Sequence, residues 1–308
     1  MTEYTIPPRL RSGDLIGLIS PSSPVKDDAR IMRGLSYFME KGYYVRVGWS
    51  VGAKDGYLAG PDYWRVRDIH DMFEDPRVGA IIATRGGYGS ARLLDQLDFD
   101  MIARNPKIVI GFSDITALSL ALLARTGLIT FAGPMLAAEF ADDLDAATEK
   151  MFWEILTHRR PARILASGNE TIMHPGRAEG RLIGGNLAVL CSLIGSAYLP
   201  DFKGSILFLE DVGENVYKID RMLLQLKYAG ILGSVAGVVL GRFTAIPEDT
   251  PNRDLDEVLR EYLLPLNVPI LADYPFGHIP NKLILPIGAQ VRIDSTGVPL
   301  TLLQSVIE

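Results

Sequence analysis

The residue types of nucleophilic hydrolysis occur in this chain at three separated places, each just past a short apolar run. Ser113 follows Lys107-Ile108-Val109-Ile110, Glu210 and Asp211 follow Ile206-Leu207-Phe208-Leu209, and Asp273 with Gly277-His278 follows Pro269-Ile270-Leu271-Ala272. Such runs suit strands buried on both faces. Ligands of open α/β sheets gather beyond the carboxyl ends of strands. The chain order serine, acid, histidine is one of those in which the hydrolytic triad recurs on unrelated folds. The chemistry needs each type. A serine hydroxyl is a poor nucleophile at neutral pH, and an adjacent imidazole takes its proton in the transition state and returns it to the leaving amine. A buried carboxylate fixes the tautomer of that imidazole and stabilises its cation.

Each residue also has a plainer role open to it. Gly111 breaks the strand before Ser113, and Thr116-Ala117-Leu118-Ser119-Leu120-Ala121-Leu122-Leu123 reads as a helix. Ser113 therefore sits in a strand-to-helix turn, the place of a nucleophile elbow, but the second glycine of G-x-S-x-G is missing. Ser113 or Asp114 as a simple helix N-cap is the alternative. Glu210 is open to a solvated-loop reading or to pairing with Lys218 or Arg221, and His278 to a turn reading between Gly277 and Pro280. The loop Arg85-Gly86-Gly87-Tyr88-Gly89 does not fit G-x-G-x-x-G, so a dinucleotide fingerprint is a poor match, whereas close backbone approach to a ligand or an oxyanion suits it. His70 belongs to a surface helix face, and His158 and His174 to a polar connection. With no H-E-x-x-H and no Cys/His cluster, no metal site is expected.

The elements that must position these residues alternate through the first half. Strands are expected at 14–19, 43–47, 78–83, 107–110 and 127–131, with helices at 27–41, 63–74, 90–97 and 116–123. That alternation predicts βαβ units in a doubly wound, mostly parallel sheet. Residues 142–156 read as one more helix and 157–181 as a polar connection with Pro161, Gly168, Pro175 and Gly176. Beyond it, strands at 205–209, 235–240, 269–272, 283–285, 291–293 and 300–303, with helices at 187–194, 218–229 and 254–264, predict a smaller β-rich α+β domain. Short loops between the last three strands predict their antiparallel pairing. The expected division is an α/β domain over 1–160 carrying the serine, a linker over 161–180, and a second domain over 181–308 carrying the acid and the histidine.

A chain of 308 residues, 48% apolar and 22% charged, is ample for two cores. A net charge of −6 without a basic cluster speaks against nucleic acid or an anionic membrane as partner. The N-terminus MTEYTIPPRLRSGD has no apolar h-region, and no run reaches the length of a membrane span. The single cysteine, Cys191, lies in an apolar-periodic stretch and fits a small buried hydrophobe in a reducing compartment. A cytoplasmic protein is expected.

Taken together, several stretches resemble the bacterial LD-carboxypeptidases, a serine peptidase family that also includes the microcin C immunity proteins. They are Ile19-Ser20-Pro21-Ser22-Ser23-Pro24, Arg85-Gly86-Gly87-Tyr88-Gly89-Ser90, Gly111-Phe112-Ser113-Asp114-Ile115-Thr116-Ala117-Leu118, Gly184-Gly185-Asn186-Leu187, Leu209-Glu210-Asp211-Val212-Gly213-Glu214, Ile219-Asp220-Arg221-Met222-Leu223, and Gly277-His278 before Leu285-Pro286-Ile287-Gly288. The resemblance implies Ser113 as nucleophile, His278 as general base and Glu210 as the orienting acid. It also implies an oxyanion hole from the backbone N–H groups of Gly87 and Asp114, and a site assembled between an α/β domain and a smaller β-rich one. It implies a homodimer and no metal or organic cofactor. Arg85, Tyr88, Asn186 and Arg242 are its candidate substrate-binding residues, the arginines because guanidinium binds carboxylates well.

Within the family, murein-recycling members remove the terminal D-alanine from the tetrapeptide L-Ala-γ-D-Glu-meso-diaminopimelate-D-Ala. Immunity members cleave peptidyl or aminoacyl adenylates and carry an aromatic residue after Gly-Gly-Asn that stacks on the base. The corresponding stretch, residues 187–198, holds no tryptophan, although Tyr198 or Tyr217 is available to supply a ring. This favours the recycling peptidase. A reading from another class is a non-catalytic α/β module that binds a nucleotide or sugar at the glycine loop and needs neither Glu210 nor His278.

Overall fold

In the computed structural model, which describes residues 4–142, 144–160, 163–165, 170–247 and 253–308, the chain is an α/β protein built on two sheets. In the first sheet β1 (Leu15–Ile19), β2 (Tyr44–Val47), β3 (Val78–Ala83), β4 (Ile108–Ile110) and β5 (Thr130–Ala132) run parallel in the order β2-β1-β3-β4-β5. The helices α1 (Asp28–Glu40), α2 (Asp62–Glu74), α3 (Phe99–Arg104) and α4 (Ile115–Thr126) lie between them, and α5 (Ala146–Thr157) follows. The expected helix at 90–97 is a 3₁₀ segment, Ser90–Gln96. Ile108, Val109 and Ile110 are fully buried, as their β-branched run predicts, and α4 is buried along nearly its whole length. Gly127, at φ 72°, closes α4 in the left-handed conformation that glycine adopts at no steric cost.

The winding of the first sheet reverses between β1 and β3, and in doubly wound sheets that switch point is where ligands bind. The loops leaving these two strands are tied together by Arg65, whose side chain is wholly buried. Its Nη1 donates to the carbonyls of Pro21 (2.6 Å) and Gly89 (3.1 Å), and its Nη2 pairs with Asp62. A buried cation needs such partners, and the buried Nε of Arg65 has none among the described residues.

The second sheet is formed from β6 (Arg163–Ile164), β7 (Thr171–His174), β8 (Arg177–Asn186), β9 (Ile206–Val212), β10 (Gly237–Thr244) and β11 (Ile270–Ala272), then, after β12 (Leu285–Ile287) has left for the first sheet, β13 (Gln290–Asp294) and β14 (Leu300–Leu302). Strands β8 to β11 are parallel and are joined by α6 (Leu187–Ser192), α7 (Val216–Tyr228) and α8 (Leu255–Leu263); the flanking strands pair antiparallel.

Two expectations change. Of the last three strands, only β13 and β14 pair with each other, whereas β12 pairs antiparallel with β5 at the edge of the first sheet. Pro286 is tolerated there because an edge strand need not donate on both sides. The polar stretch at 157–181 is not all connection either: Thr171–His174 and the start of β8 are strands of the second sheet. Both faces of β7 are at least partly exposed, so it carries none of the apolar alternation that marks a strand. Residues 161–162 and 166–169, with Pro161 and Gly168, lie outside the described residues.

This topology builds the site. The segment between β11 and β12 leaves the second sheet and ends in the first, so His278, midway along it, is carried to the end of β4.

Candidate active site

Ser113 follows β4 with φ at 63°, a conformation rarely adopted by a residue with a Cβ and the mark of a strained turn. Its Oγ lies 3.0 Å from His278 Nε2, and His278 Nδ1 lies 2.8 Å from Glu210 Oε2. Glu210 is buried, and the imidazole is about a fifth exposed (22%), so one end of the relay is dry and the other reaches the cavity. Neither Ser113 nor Asp114 caps α4 with its side chain. The simple N-cap reading fails for both, the solvated-loop reading fails for the buried Glu210, and His278, which does sit in the bend between Gly277 and Pro280, also bridges Glu210 and Ser113.

Asp114 does something else. Its Oδ2 accepts from Ser22 Oγ (2.5 Å) and from the Ser90 N–H (2.8 Å), while Ser90 Oγ donates to the Asp114 carbonyl (2.5 Å). One buried carboxylate thus gathers the serine–proline loop after β1, the glycine loop after β3 and the turn after β4. In the glycine loop, Gly86 packs so closely that a Cβ there would meet Ser113 Cβ at 2.8 Å, and Gly87 stands at φ 125° against Ser23. Among the described residues, the N–H groups of Gly87 and Asp114 have no hydrogen-bond acceptor. Free N–H donors beside a nucleophile can hold a developing oxyanion.

Behind the acid, Asn186 is buried and fully engaged. Its Oδ1 accepts from the Val189 N–H, which fixes the amide so that Nδ2 faces Glu210 Oε1 (3.2 Å) and Asp211 Oδ1 (3.0 Å). Burial pushes the Asp211 carboxyl up to about 6, and the nearby Glu210 charge acts the same way, against the N–H groups of Ala188 and Val212 and the Asn186 amide. A carboxyl raised on folding contributes stability that is complete below its unfolded value and is lost as pH rises through its folded value. Stability should therefore fall by about 3 kcal/mol between about pH 4 and pH 6 from this one group, two units being worth about that much. Asp211→Asn should flatten that slope in urea unfolding followed across the same range.

The cavity in front of Ser113 and His278 has a volume of about 840 Å³, and its walls include Arg85, Gly87, Phe112, Glu139 and Lys282. Arg85 is held by carbonyls, its Nε on Gly86 and its Nη1 on Pro24, and among the described residues it has no acidic partner. The other three candidate binders stand elsewhere. Asn186 serves the acid from behind. Tyr88 is half exposed with its ring against Tyr57 (5.6 Å between centroids), away from the cavity wall. Arg242 pairs with Asp273 (2.6 Å) and lines a separate depression, so its charge is already matched. Lys282 and Glu139, by contrast, are in the wall and escape a reading of the sequence. A lone lysine inside Lys282-Leu283-Ile284-Leu285-Pro286-Ile287 is the available signal.

Residues 16–133 match the family described as LD-carboxypeptidase N-terminal domain, and residues 179–293 its C-terminal domain. The chain is a member of the LD-carboxypeptidase family. It is 36% identical over 292 residues to the probable murein peptide carboxypeptidase of Bacillus subtilis, covering 94% of this chain and 91% of the relative. The murein tetrapeptide carboxypeptidase of Pseudomonas aeruginosa is 33% identical, with 91% and 92% covered. The structure of MccF in complex with glutamyl sulfamoyl guanosine superposes with a TM-score of 0.93 at 30% identity, covering 98% of this chain and 99% of that one. Family membership makes the chain a peptidase by descent. Among the described residues no helix is long and apolar enough to cross a membrane, and no group of three or more His, Cys, Asp or Glu is placed to hold a metal.

Proposed function

We propose that the protein is a serine-type LD-carboxypeptidase that removes the terminal D-alanine from L-Ala-γ-D-Glu-meso-diaminopimelate-D-Ala during cytoplasmic peptidoglycan recycling. The observation that carries this reading is the continuous relay from Glu210 through His278 to Ser113, opening on a cavity large enough for a short peptide. His278 Nε2 takes the Ser113 proton as Oγ attacks the diaminopimelate carbonyl, and the N–H groups of Gly87 and Asp114 receive the oxyanion. As the tetrahedral intermediate collapses, the C–N bond breaks and the imidazolium protonates the departing amine of D-alanine. Water, deprotonated by the same imidazole, then cleaves the acyl-enzyme and returns Ser113 to its starting state. Glu210 holds Nδ1–H throughout, which keeps Nε2 free to accept.

A carboxypeptidase must also recognise the carboxylate one residue beyond the scissile bond. Arg85 is suited to this recognition. It lines the cavity beside Gly86 and Gly87, carbonyls fix its guanidinium, and no acid among the described residues neutralises it. Arg85→Met is expected to raise KM at least tenfold with a smaller change in kcat, and to abolish the preference for tetrapeptide over its C-terminal amide. Steady-state kinetics on the two peptides would show it; equal losses on both would remove Arg85 from this role.

The adenylate-hydrolase reading is favoured by the likeness to MccF. Against it, Tyr198 packs on Phe99 and Arg125, and neither it nor Tyr217 lines the cavity. The two readings separate on incubation with murein tetrapeptide and with an aminoacyl sulfamoyl adenosine: release of D-alanine supports the first, and cleavage of the second compound alone supports the other.

A further inference from the structure

The wall of the cavity contains a buried ion pair that the catalytic steps above leave unused. Lys282 and Glu139 are almost entirely enclosed, their side chains 3% and 13% exposed, and Lys282 Nζ pairs with Glu139 Oε1. The other carboxylate oxygen of Glu139 accepts the Met135 N–H (3.0 Å), which anchors the pair to the segment after β5. Two buried charges carry a desolvation cost that their attraction does no more than offset, so such a pair is weak evidence for a stabilising role. Its position suggests another one. The ammonium stands 3.6 Å from the centre of the Phe112 ring, and that ring meets the His278 imidazole edge-on, with centroids 5.1 Å apart and planes at 62°. Phe112 is also the residue before Ser113.

We propose that Lys282 is a positioning residue for the general base: its ammonium, held by Glu139, clamps the face of Phe112, and Phe112 fixes the plane in which His278 bridges Glu210 and Ser113. This rests on the assignment of His278 as the base. A cation on the face of an aromatic ring is attracted by the ring quadrupole, and the attraction strengthens where water is excluded. Without such a clamp the imidazole has hydrogen bonds only along its Nδ1–Nε2 axis, and rotation about that axis is left to packing. The charges acting on Lys282 are Glu139 from the segment after β5 and Glu210 from β9, and His278, Arg85, Lys26, Arg30, Asp27 and Asp142 line the same cavity. Loss of the ammonium therefore leaves two carboxylates nearer to balance by an imidazolium.

The test reads the reactivity of Ser113 without relying on any peptide substrate. A fluorophosphonate probe forms a bond from phosphorus to Ser113 Oγ with loss of fluoride, and the rate of this labelling follows activation of the serine by its base. Wild type, Lys282→Met, Phe112→Leu and the double variant are labelled between pH 5 and 9, with thermal unfolding recorded for each. The expected result is a tenfold or greater loss of the plateau rate in Lys282→Met, an acid limb displaced to higher pH, and no further loss of the plateau rate when Lys282→Met is added to Phe112→Leu. Undiminished labelling of Lys282→Met overturns the proposal, as do losses that simply multiply in the double variant. If a Lys282 variant does not fold, Phe112→Leu alone decides: an unchanged rate and pH profile also overturn it. A wild type that is not labelled at all would instead contradict the serine-peptidase reading on which the proposal rests.

Discussion

Glu210→Gln is expected to lower kcat by about 10⁴-fold with KM changed less than about threefold, because a wrong imidazole tautomer costs that much in serine hydrolases. The size follows from what surrounds the side chain. Asn186 is locked by the Val189 N–H, so its Nδ2 must point at Glu210 Oε1. A glutamine at 210 will turn its amide oxygen toward that donor and is left with its NH₂ facing His278 Nδ1. That nitrogen must then accept rather than donate, Nε2 carries the proton, and the base has no lone pair for Ser113. The volume is unchanged and every buried partner remains bonded, so unfolding temperature should move little. Kinetics on tetrapeptide together with a thermal melt check both halves; activity within tenfold of wild type would remove Glu210 from the relay.

Gly87→Ala should lower kcat by about 10²- to 10³-fold, the usual loss when one oxyanion donor is misplaced. A Cβ on Gly87 would collide with Oγ and Cβ of Ser23, and φ at 125° is strained for any residue with a side chain. The loop must shift, and the N–H of residue 87 shifts with it. Backbone strain alone costs on the order of 1–3 kcal/mol, so a control must carry strain without the site. Gly13→Ala provides it, since Gly13 has φ at 82° and nothing within 4 Å of an added Cβ. Both variants should melt earlier than wild type, and only Gly87→Ala should lose turnover. Parallel loss of activity in the two would mean that stability, not the oxyanion, governs the effect.

The parts of the molecule that can be read from the chain are those in which local chemistry and tertiary role coincide. Ile108-Val109-Ile110 is β-branched because β4 is buried on both sides, and the alanine–leucine run after it is α4 for the same reason. Ser113 and His278 can be located as polar residues beyond strand ends, and Glu210 as the acid that follows the apolar run of β9 although β9 extends past it to Val212, but their convergence cannot. No spacing in the sequence states that β12 deserts its neighbours for the edge of the first sheet, and that crossing is what carries His278 to Ser113. The polar edge strand β7 is hidden because its faces lie open to water, so it has no apolar rhythm to display. Asn186 falls among the expected substrate-binding residues because sequence cannot distinguish a polar side chain facing a cavity from one facing a buried acid. Arg242 is misplaced likewise, since its partner Asp273 lies 31 residues away in the chain. Asp114 and Arg65 escape for a related reason: each acts on carbonyls, amides or hydroxyls of distant loops, contacts that leave no pattern in the residues themselves.

The proposed reaction is cleavage of the L,D bond of a murein tetrapeptide by Ser113, activated by His278. It is tested most directly by incubating purified wild-type protein and Ser113→Ala with L-Ala-γ-D-Glu-meso-diaminopimelate-D-Ala and following the products by mass spectrometry. Tripeptide and free D-alanine are expected from wild type and none above background from the variant, both proteins being folded. Release of D-alanine by Ser113→Ala at the wild-type rate, or none from folded wild type, would contradict it.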